Sequence, residues 1–230
     1  MSSMRSKVRI KIGDQRIIRV QRMVAPTVRW NLTALARVDL SDKGGFHSYT
    51  PLYERHLAEL RHRPVRLLEI GIGGYDSPTW GGASLRMWRE YFRRGEIHGL
   101  DIEEKRIDEP RIHVHRGDQS DQSFLHDLAR RHGPFDIVID DGSHVNAHIR
   151  ASFEALFVDH LKPGGYYIVE DMSTAYLAEY GGGPPGHPGT SVELVQSLVD
   201  DLNRQHWAGR SARPVRALHV YEKLAFIRRS

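Results

Sequence analysis

The residues of this chain best equipped for chemistry sit at the ends of two apolar runs. Residues 135–139 (FDIVI) form a short, β-branched run that stops at Asp140 and Asp141, followed by Gly142, Ser143 and His144. Residues 166–169 (YYIV) stop at a second acidic pair, Glu170 and Asp171. Such short apolar runs point to buried parallel strands. An open α/β sheet places its ligands at the carboxyl ends of its strands. If these two strands are neighbours, four carboxylates meet at one edge. Their repulsion is costly unless a cation lies among them or some stay protonated. A cation site beside a titratable histidine is therefore expected. The plainer alternative is a set of loop acids that cap the segments after each strand, with His144 facing solvent and Ser143 as a helix N-cap.

A second constellation precedes the first. Glu69–Gly74 (EIGIGG) ends another apolar run, residues 65–70, where a nucleotide-binding loop belongs. The dinucleotide fingerprint G-x-G-x-x-G needs a third glycine at position 76, which is Asp76. That weakens a pyrophosphate reading. The form E-x-G-x-G-G is found in class I S-adenosylmethionine (SAM) methyltransferases, where Gly71 and Gly73 would let the backbone approach the cofactor. Asp101, near the end of the next strand, can take both hydroxyls of a ribose. This points to an adenosine cofactor without choosing SAM over NAD. Asp118 and Gln119, after the third strand, stand where an acid or amide would flank adenine. The plain reading of Asp118 is a turn acid.

Composition narrows the classes. The chain has 230 residues, enough for one α/β domain with its own core. It has no cysteine, so disulfides, thiol catalysis and Cys-ligated metals are excluded. No run approaches the ~20 apolar residues of a membrane span. The basic N-terminus lacks the apolar core of a signal peptide, so a cytoplasmic protein is expected. The net charge is +4, and residues 1–22 hold seven basic residues from Arg5 to Arg22 against one acid, Asp14. An arm of this kind is more often solvated or in contact with another subunit than bound to nucleic acid.

The elements that must position these residues can be read from the pattern. Residues 8–12 and 15–20 alternate basic and apolar residues, as an edge hairpin or extended arm would. Residues 27–38 predict a short helix with Pro26 near its start. Residues 39–49 read as a polar loop, and Thr50 as the cap of a helix over 50–61, with Pro51 at its first position. From residue 65 strands and helices alternate. Strands are expected over 65–70, 97–102, 111–115, 135–139 and 166–169. Helices are expected over 83–92, 123–132 and 146–161, with a turn at 163–165. Residues 181–189 (GGGPPGHPG) cannot hold regular structure and suggest a lid near 172–190. Residues 191–207 predict an amphipathic helix and 215–228 a strand pair or one bent strand. The expected fold is Rossmann-like α/β, a mostly parallel, doubly wound sheet with a C-terminal antiparallel strand. Residues 1–40 form the basic arm and short helix, and residues 41–230 the main domain.

Taken together, LLEIGIGGYDSPTWGGASLRMW, GLDI, GDQSD, FDIVIDDGSHVNAHIRASF and GGYYIVEDMSTAY resemble the class I, metal-dependent sugar O-methyltransferases of bacterial natural-product pathways, of the macrolide-sugar (mycinamicin-type) and rhamnosyl kinds. The resemblance covers about residues 41–180. The first forty residues do not match the larger N-terminal domain of the macrolide enzymes. The resemblance implies a Mg²⁺ ion held by Asp141, Glu170 and Asp171, with His144 as general base and Asp141 beside it in the catalytic pair. It implies SAM held around Glu69, Gly71, Gly73, Asp101, Asp118 and Gln119, with Asp140 as an orienting or SAM-side group. The acceptor would be a sugar-containing small molecule or oligosaccharide, and a homodimer or larger homo-oligomer is expected. Tyr49, Trp80 and Tyr176 are candidates for acceptor binding, with His47 near them, whereas Trp88 reads as core.

The chemistry agrees with this set. A sulfonium methyl is already activated, so the protein must position and deprotonate a poorly acidic hydroxyl. Oxygen ligands favour Mg²⁺ over zinc, and a hard cation lowers the pKa of a bound hydroxyl. His144 and His148 are four apart, but Val145 stands where H-E-x-x-H needs glutamate. The rival readings are a catechol-type methyltransferase, a related secondary-metabolite hydroxylase and, lowest, an RNA-binding or RNA-modifying protein.

Overall fold

The structure is a computed structural model that describes residues 15–203, 206 and 213–230. Among the described residues, seven strands form one sheet: β1 (Arg66–Ile70), β2 (Glu96–Asp101), β3 (Ile112–Arg116), β4 (Phe135–Asp140), β5 (Leu161–Val169), β6 (Val215–Tyr221) and β7 (Leu224–Arg229). Their order is β3-β2-β1-β4-β5-β7-β6. All pairs from β3 to β5 are parallel, and β7 runs antiparallel between β5 and β6. The expected mostly parallel sheet with a C-terminal antiparallel strand is present, and residues 215–228 resolve as a strand pair.

Helices cover both faces. On one face lie α1 (Gln15–Val28), α2 (Leu32–Val38), α3 (Thr50–Leu57) and α4 (Ala83–Tyr91); on the other lie α5 (Gln122–His132), α6 (Asn146–Leu156) and α7 (Ser191–Leu202). Each face has its own apolar core. Leu67, Ile137, Ile139, Ile168 and Phe226 pack with Tyr53 and Trp88 on the first. Leu68, Val138, Tyr167, Val169 and Ile227 pack with Phe153 and Leu194 on the second. Successive side chains of a strand point to opposite faces, so adjacent residues of one strand belong to different cores.

Several local expectations are corrected. Residues 15–20 are the start of α1 rather than an edge strand, and residues 8–14 lie outside the described residues. The helix expected over 27–38 is split at Asn31. Pro26 ends up inside α1, two residues before its end, and α2 starts afresh with the Asn31 side chain accepting from the Ala34 N–H at 2.9 Å. Ala25, Leu32 and Leu35 are buried in the first core, so tertiary packing overrides the alternation that suggested an arm. Thr50 is not a cap: it lies inside α3, its hydroxyl 2.8 Å from that of Thr33. The helix of residues 50–61 gives way after Leu57 to a 3₁₀ turn, Ala58–Leu60. α6 stops at Leu156, and residues 163–165, expected as a turn, are inside β5, beside a register shift against β4. α7 ends at Leu202, and residues 204–205 and 207 lie outside the described residues.

Candidate active site

The ends of β1, β4 and β5 come together because the parallel ladder continues into their loops. The Asp141 N–H bonds the Ile70 carbonyl at 3.0 Å, and the Glu170 N–H bonds the Asp140 carbonyl at 3.0 Å. Alternation then separates the acids. Asp141 and Glu170 continue the Ile139 and Ile168 side of the sheet, the face of α1–α4, and Glu69 lies on that face too. Asp140 continues the Val138 side, under α6.

On the first face the acids meet a residue that no sequence motif marks. Lys43, from a 3₁₀ turn between α2 and α3, is buried, with its Nζ 2.6 Å from Asp141 Oδ2, 2.7 Å from Glu170 Oε1 and 3.2 Å from Glu69 Oε1. Tyr53 of α3 donates its hydroxyl to the same Glu170 oxygen, and Ser84 donates to Glu69 Oε2 at 2.8 Å. Burial opposes the charge on Lys43, but the attraction of Asp141, Glu170 and Glu69 overrides it and raises the lysine pKa well above its ordinary value. Burial pushes both Glu69 and Glu170 upward, and the Asp141 charge adds to it. Lys43 thus pairs with three carboxylates, and Asp171 stands at the same edge beside His47 and His144.

Asp141, His144 and Asp171 form the outer layer of this cluster. Their ligand atoms lie within 4.8 Å of one another, and each side chain is partly exposed. His144 Nε2 is 3.9 Å from Asp171 Oδ2. Both residues are left-handed, His144 at φ 59° and Asp171 at φ 50°. Such positions cost on the order of 1–3 kcal/mol each and cluster at functional sites. Asp171 is held by Tyr49, whose hydroxyl donates to Oδ1 at 2.6 Å, and by His47, whose Nδ1 lies 3.3 Å away while its ring stacks on Tyr49. Ser143 does not cap α6; its Oγ accepts from the Val145 N–H at 3.3 Å and sits 3.0 Å from His148 Nδ1.

Asp140 lies on the second face. It is 1% exposed and surrounded by donors from the second face: the hydroxyls of Ser152 and Tyr167 and the amide of Gln119 at 3.1 Å. It braces α6 against the sheet, and through Gln119 it is linked to the loops after β3 and β4. Gln119 is buried beside it and accepts from the Ser143 N–H at 2.7 Å, so its amide ties the loop after β3 to the loop after β4. Asp118 is an exposed turn acid whose Oδ1 accepts from the Ser120 N–H and hydroxyl, contacts that lower its pKa.

The glycine loop has the shape of a cradle. Gly71 has φ +93°, and a Cβ there would lie 2.0 Å from the Asp141 carbonyl oxygen, so its glycine lets the β1 and β4 loops cross. Gly73 has φ +71°, and a Cβ there would meet nothing within 4 Å, which leaves bare backbone facing open space. Asp101 at the end of β2 accepts from the Ile72 N–H at 3.0 Å and the Glu103 N–H at 2.9 Å, which fixes its carboxylate beside this loop. Trp80 is half-buried where the loop folds back on Gly74. Trp88 is core, as expected. Tyr176 is half-exposed and lines an apolar cavity of about 740 Å³ between the 3₁₀ turn Met172–Tyr176, α7 and β6.

Comparison with known proteins places this geometry. No family model matches the chain. Mycinamicin VI 2''-O-methyltransferase of Micromonospora griseorubida is 50% identical over 208 residues, which is 86% of this chain and 52% of that protein. Demethylmacrocin O-methyltransferase of Streptomyces fradiae is 55% identical over 194 residues, 80% of this chain and 49% of that protein. The chain is homologous to macrolide and tetracenomycin sugar O-methyltransferases. A solved structure of the MycE methyltransferase, in complex with Mg, SAH and mycinamycin VI, superimposes with a TM-score of 0.83 at 49% identity, covering 87% of this chain and 53% of that one. The fold is therefore the class I methyltransferase fold expected from the sequence. The chain spans about half the length of the relatives it matches.

Proposed function

We propose that the chain transfers a methyl group from SAM to a sugar hydroxyl, with Mg²⁺ held at the carboxylate edge. The observation that carries the reading is the grouping of Asp141, His144 and Asp171 beside the glycine cradle, over the buried acid cluster around Lys43. The donor set fits a hard cation: carboxylate oxygens of Asp141 and Asp171 face out together, and Glu170 lies one ladder step from Asp141. In this reading Asp141, Glu170 and Asp171 hold the ion. Bound there, it supplies positive charge that makes a neighbouring hydroxyl easier to deprotonate.

The chain's own groups do the rest. The backbone at Gly73 receives the cofactor, and Asp101 takes its ribose hydroxyls. Glu69 and Ser84 shape the floor. His144 accepts the acceptor hydroxyl's proton as the new oxygen–carbon bond forms and the sulfur–carbon bond breaks. Asp171, fixed by Tyr49 and His47, holds His144 in place. The apolar cavity beyond Tyr176 begins at Met172, next to Asp171, and suits the apolar body of a glycosylated acceptor, with Trp80 of the glycine loop as a further acceptor contact. Residues 172–190 act as a lid, residues 41–230 carry the catalytic unit and residues 1–40 flank it. The reading includes a homodimer or larger homo-oligomer, supported by the basic N-terminal stretch. It also includes a cytoplasmic setting, where SAM is supplied. Among the described residues, no helix is long and apolar enough to cross a membrane.

Labelled SAM with a panel of rhamnosides and rhamnosylated polyketides tests the reading. Methyl transfer to a sugar oxygen is expected, abolished by EDTA, restored by Mg²⁺, and reduced ~10²-fold or more in His144→Ala with SAM binding retained. Full activity in chelator, or a preference for a flat catechol, overturns it.

A further inference from the structure

Away from the carboxylate edge, four histidines crowd the face of the sheet that α5 covers. His98 lies in the middle of β2. His113 is its register partner in β3, and His115 is two residues further along on the same face. His132 is the last residue of α5, which runs back from the carboxyl edge to the opposite end of the sheet. The rings pack together: His98 stacks on His115 at 5.3 Å and 11°, His132 lies 4.6 Å from His115 and 5.2 Å from His98, and His113 lies 4.8 Å from His98. Packing alone would be served better by an aliphatic side chain, as it is at Leu100 on the same face of the same strand.

We propose that His98, His115 and His132 bind a zinc-class divalent transition-metal ion. One ring nitrogen from each lies within 4.8 Å of the others, and His98 Nδ1 is 3.1 Å from His115 Nε2. Nitrogens bound at ~2.0–2.1 Å to a tetrahedral zinc stand about 3.3 Å apart, so this pair already has the spacing, and His132, at a helix end and partly exposed, closes the third side by ring rotation. His98 is 4% exposed, which fixes one ligand rigidly.

The protonation state suits the ion. Burial, reinforced by the neighbouring imidazoles, pushes His98 down to about 3 and His115 down to about 4, so both are neutral lone-pair donors near neutral pH. Arg66 and Arg131 lie near enough to add to these shifts and also count against a cation. Glu96, 2.7 Å from His113 on the outer side, offsets part of that charge. Imidazole donors select zinc, copper or nickel over magnesium, so this site and the carboxylate site take different ions. An ion here would tie the edge strand β3 to β2 and to the end of α5.

The test is calorimetric titration of Zn²⁺ into the full, chelator-stripped chain in excess Mg²⁺, which fills the carboxylate site. One equivalent is expected to bind at roughly micromolar affinity or tighter, and to raise the unfolding temperature. His132→Gln, at the partly exposed helix end, is expected to fold normally by circular dichroism and to weaken zinc by more than ~10-fold, and His115→Gln to do the same. His144→Gln should leave the titration unchanged. The proposal is overturned by no zinc binding in excess Mg²⁺, by only millimolar binding, or by affinity that survives both His132→Gln and His115→Gln. Loss confined to His144→Gln assigns the zinc to the carboxylate edge and overturns it equally.

Discussion

Two neighbouring aspartates show how much one residue's offset decides. Asp140 and Asp141 are chemically identical, yet Asp140 is sealed under α6 by Ser152, Tyr167 and Gln119, and Asp141 meets Lys43 on the opposite face. Buried acids are retained when donors or cations satisfy them. Lys43 is the cation for Asp141, Glu170 and Glu69, so removing its charge leaves three acids facing one another. Replacing Lys43 with Met is expected to destabilise the metal-free protein by about 3–5 kcal/mol. Excess Mg²⁺ should recover part of that loss, because the ion restores positive charge to the same edge. Urea unfolding of both proteins with and without Mg²⁺ measures this, and a neutral Lys43→Met would show that the acids are already protonated.

At the scale of elements, the site depends on where loops cross. The β1 and β4 loops pass so closely that only glycine fits at position 71, where a Cβ would stand 2.0 Å from a backbone oxygen that cannot rotate away. Gly71→Ala is therefore expected to lower the unfolding midpoint markedly and to separate Asp141 from Glu69. Gly73→Ala adds a methyl group to open space and bears only the strain of its positive φ, on the order of 1–3 kcal/mol, but should weaken SAM binding. Equal thermal stability of the two variants would contradict this assignment. The strand ends and the glycine loop were legible in the sequence because their signals are local: an apolar run, a stop and a turn residue. The N-terminal helix α1 was not. Residues 15–20 alternate as a strand would, and only contacts made by Ile18, Gln21 and Ala25, such as the Gln21 amide on the Val38 carbonyl at 3.1 Å, favour a helix.

For the whole molecule, burial of histidine sets a pH limit. His56 of α3 lies between Tyr221 and Phe226, its Nε2 2.9 Å from the Tyr221 hydroxyl. Burial, then His219, pushes it down to about 4. The unfolded chain binds this proton near pH 6.5 and the folded one does not, so the stability it contributes is full above about 6.5 and is lost as pH falls through 4. Buried carboxylates such as Glu170 shift the opposite way, so the histidine effect is isolated by comparison with a variant. Relative to wild type, His56→Leu is expected to gain stability as pH drops from 6.5 to 4, by at most about 1.4 kcal/mol per pH unit for one proton. A pH-independent difference between the two proteins would refute it.

What the sequence determined by itself was the identity of the strands, their acidic ends, the glycine loop and the kind of chemistry these support, because period, turn residues and carboxylate pairs act over a few residues. Only the tertiary structure decided which acids share a cation, since Lys43 reaches Asp141 and Glu170 across 98 and 127 residues of chain. The same is true of the histidines of β2, β3 and α5, unremarkable apart and convergent once the strands pair. Long-range burial, which costs any unpaired charge dearly, chooses those partners, and no local pattern records the choice.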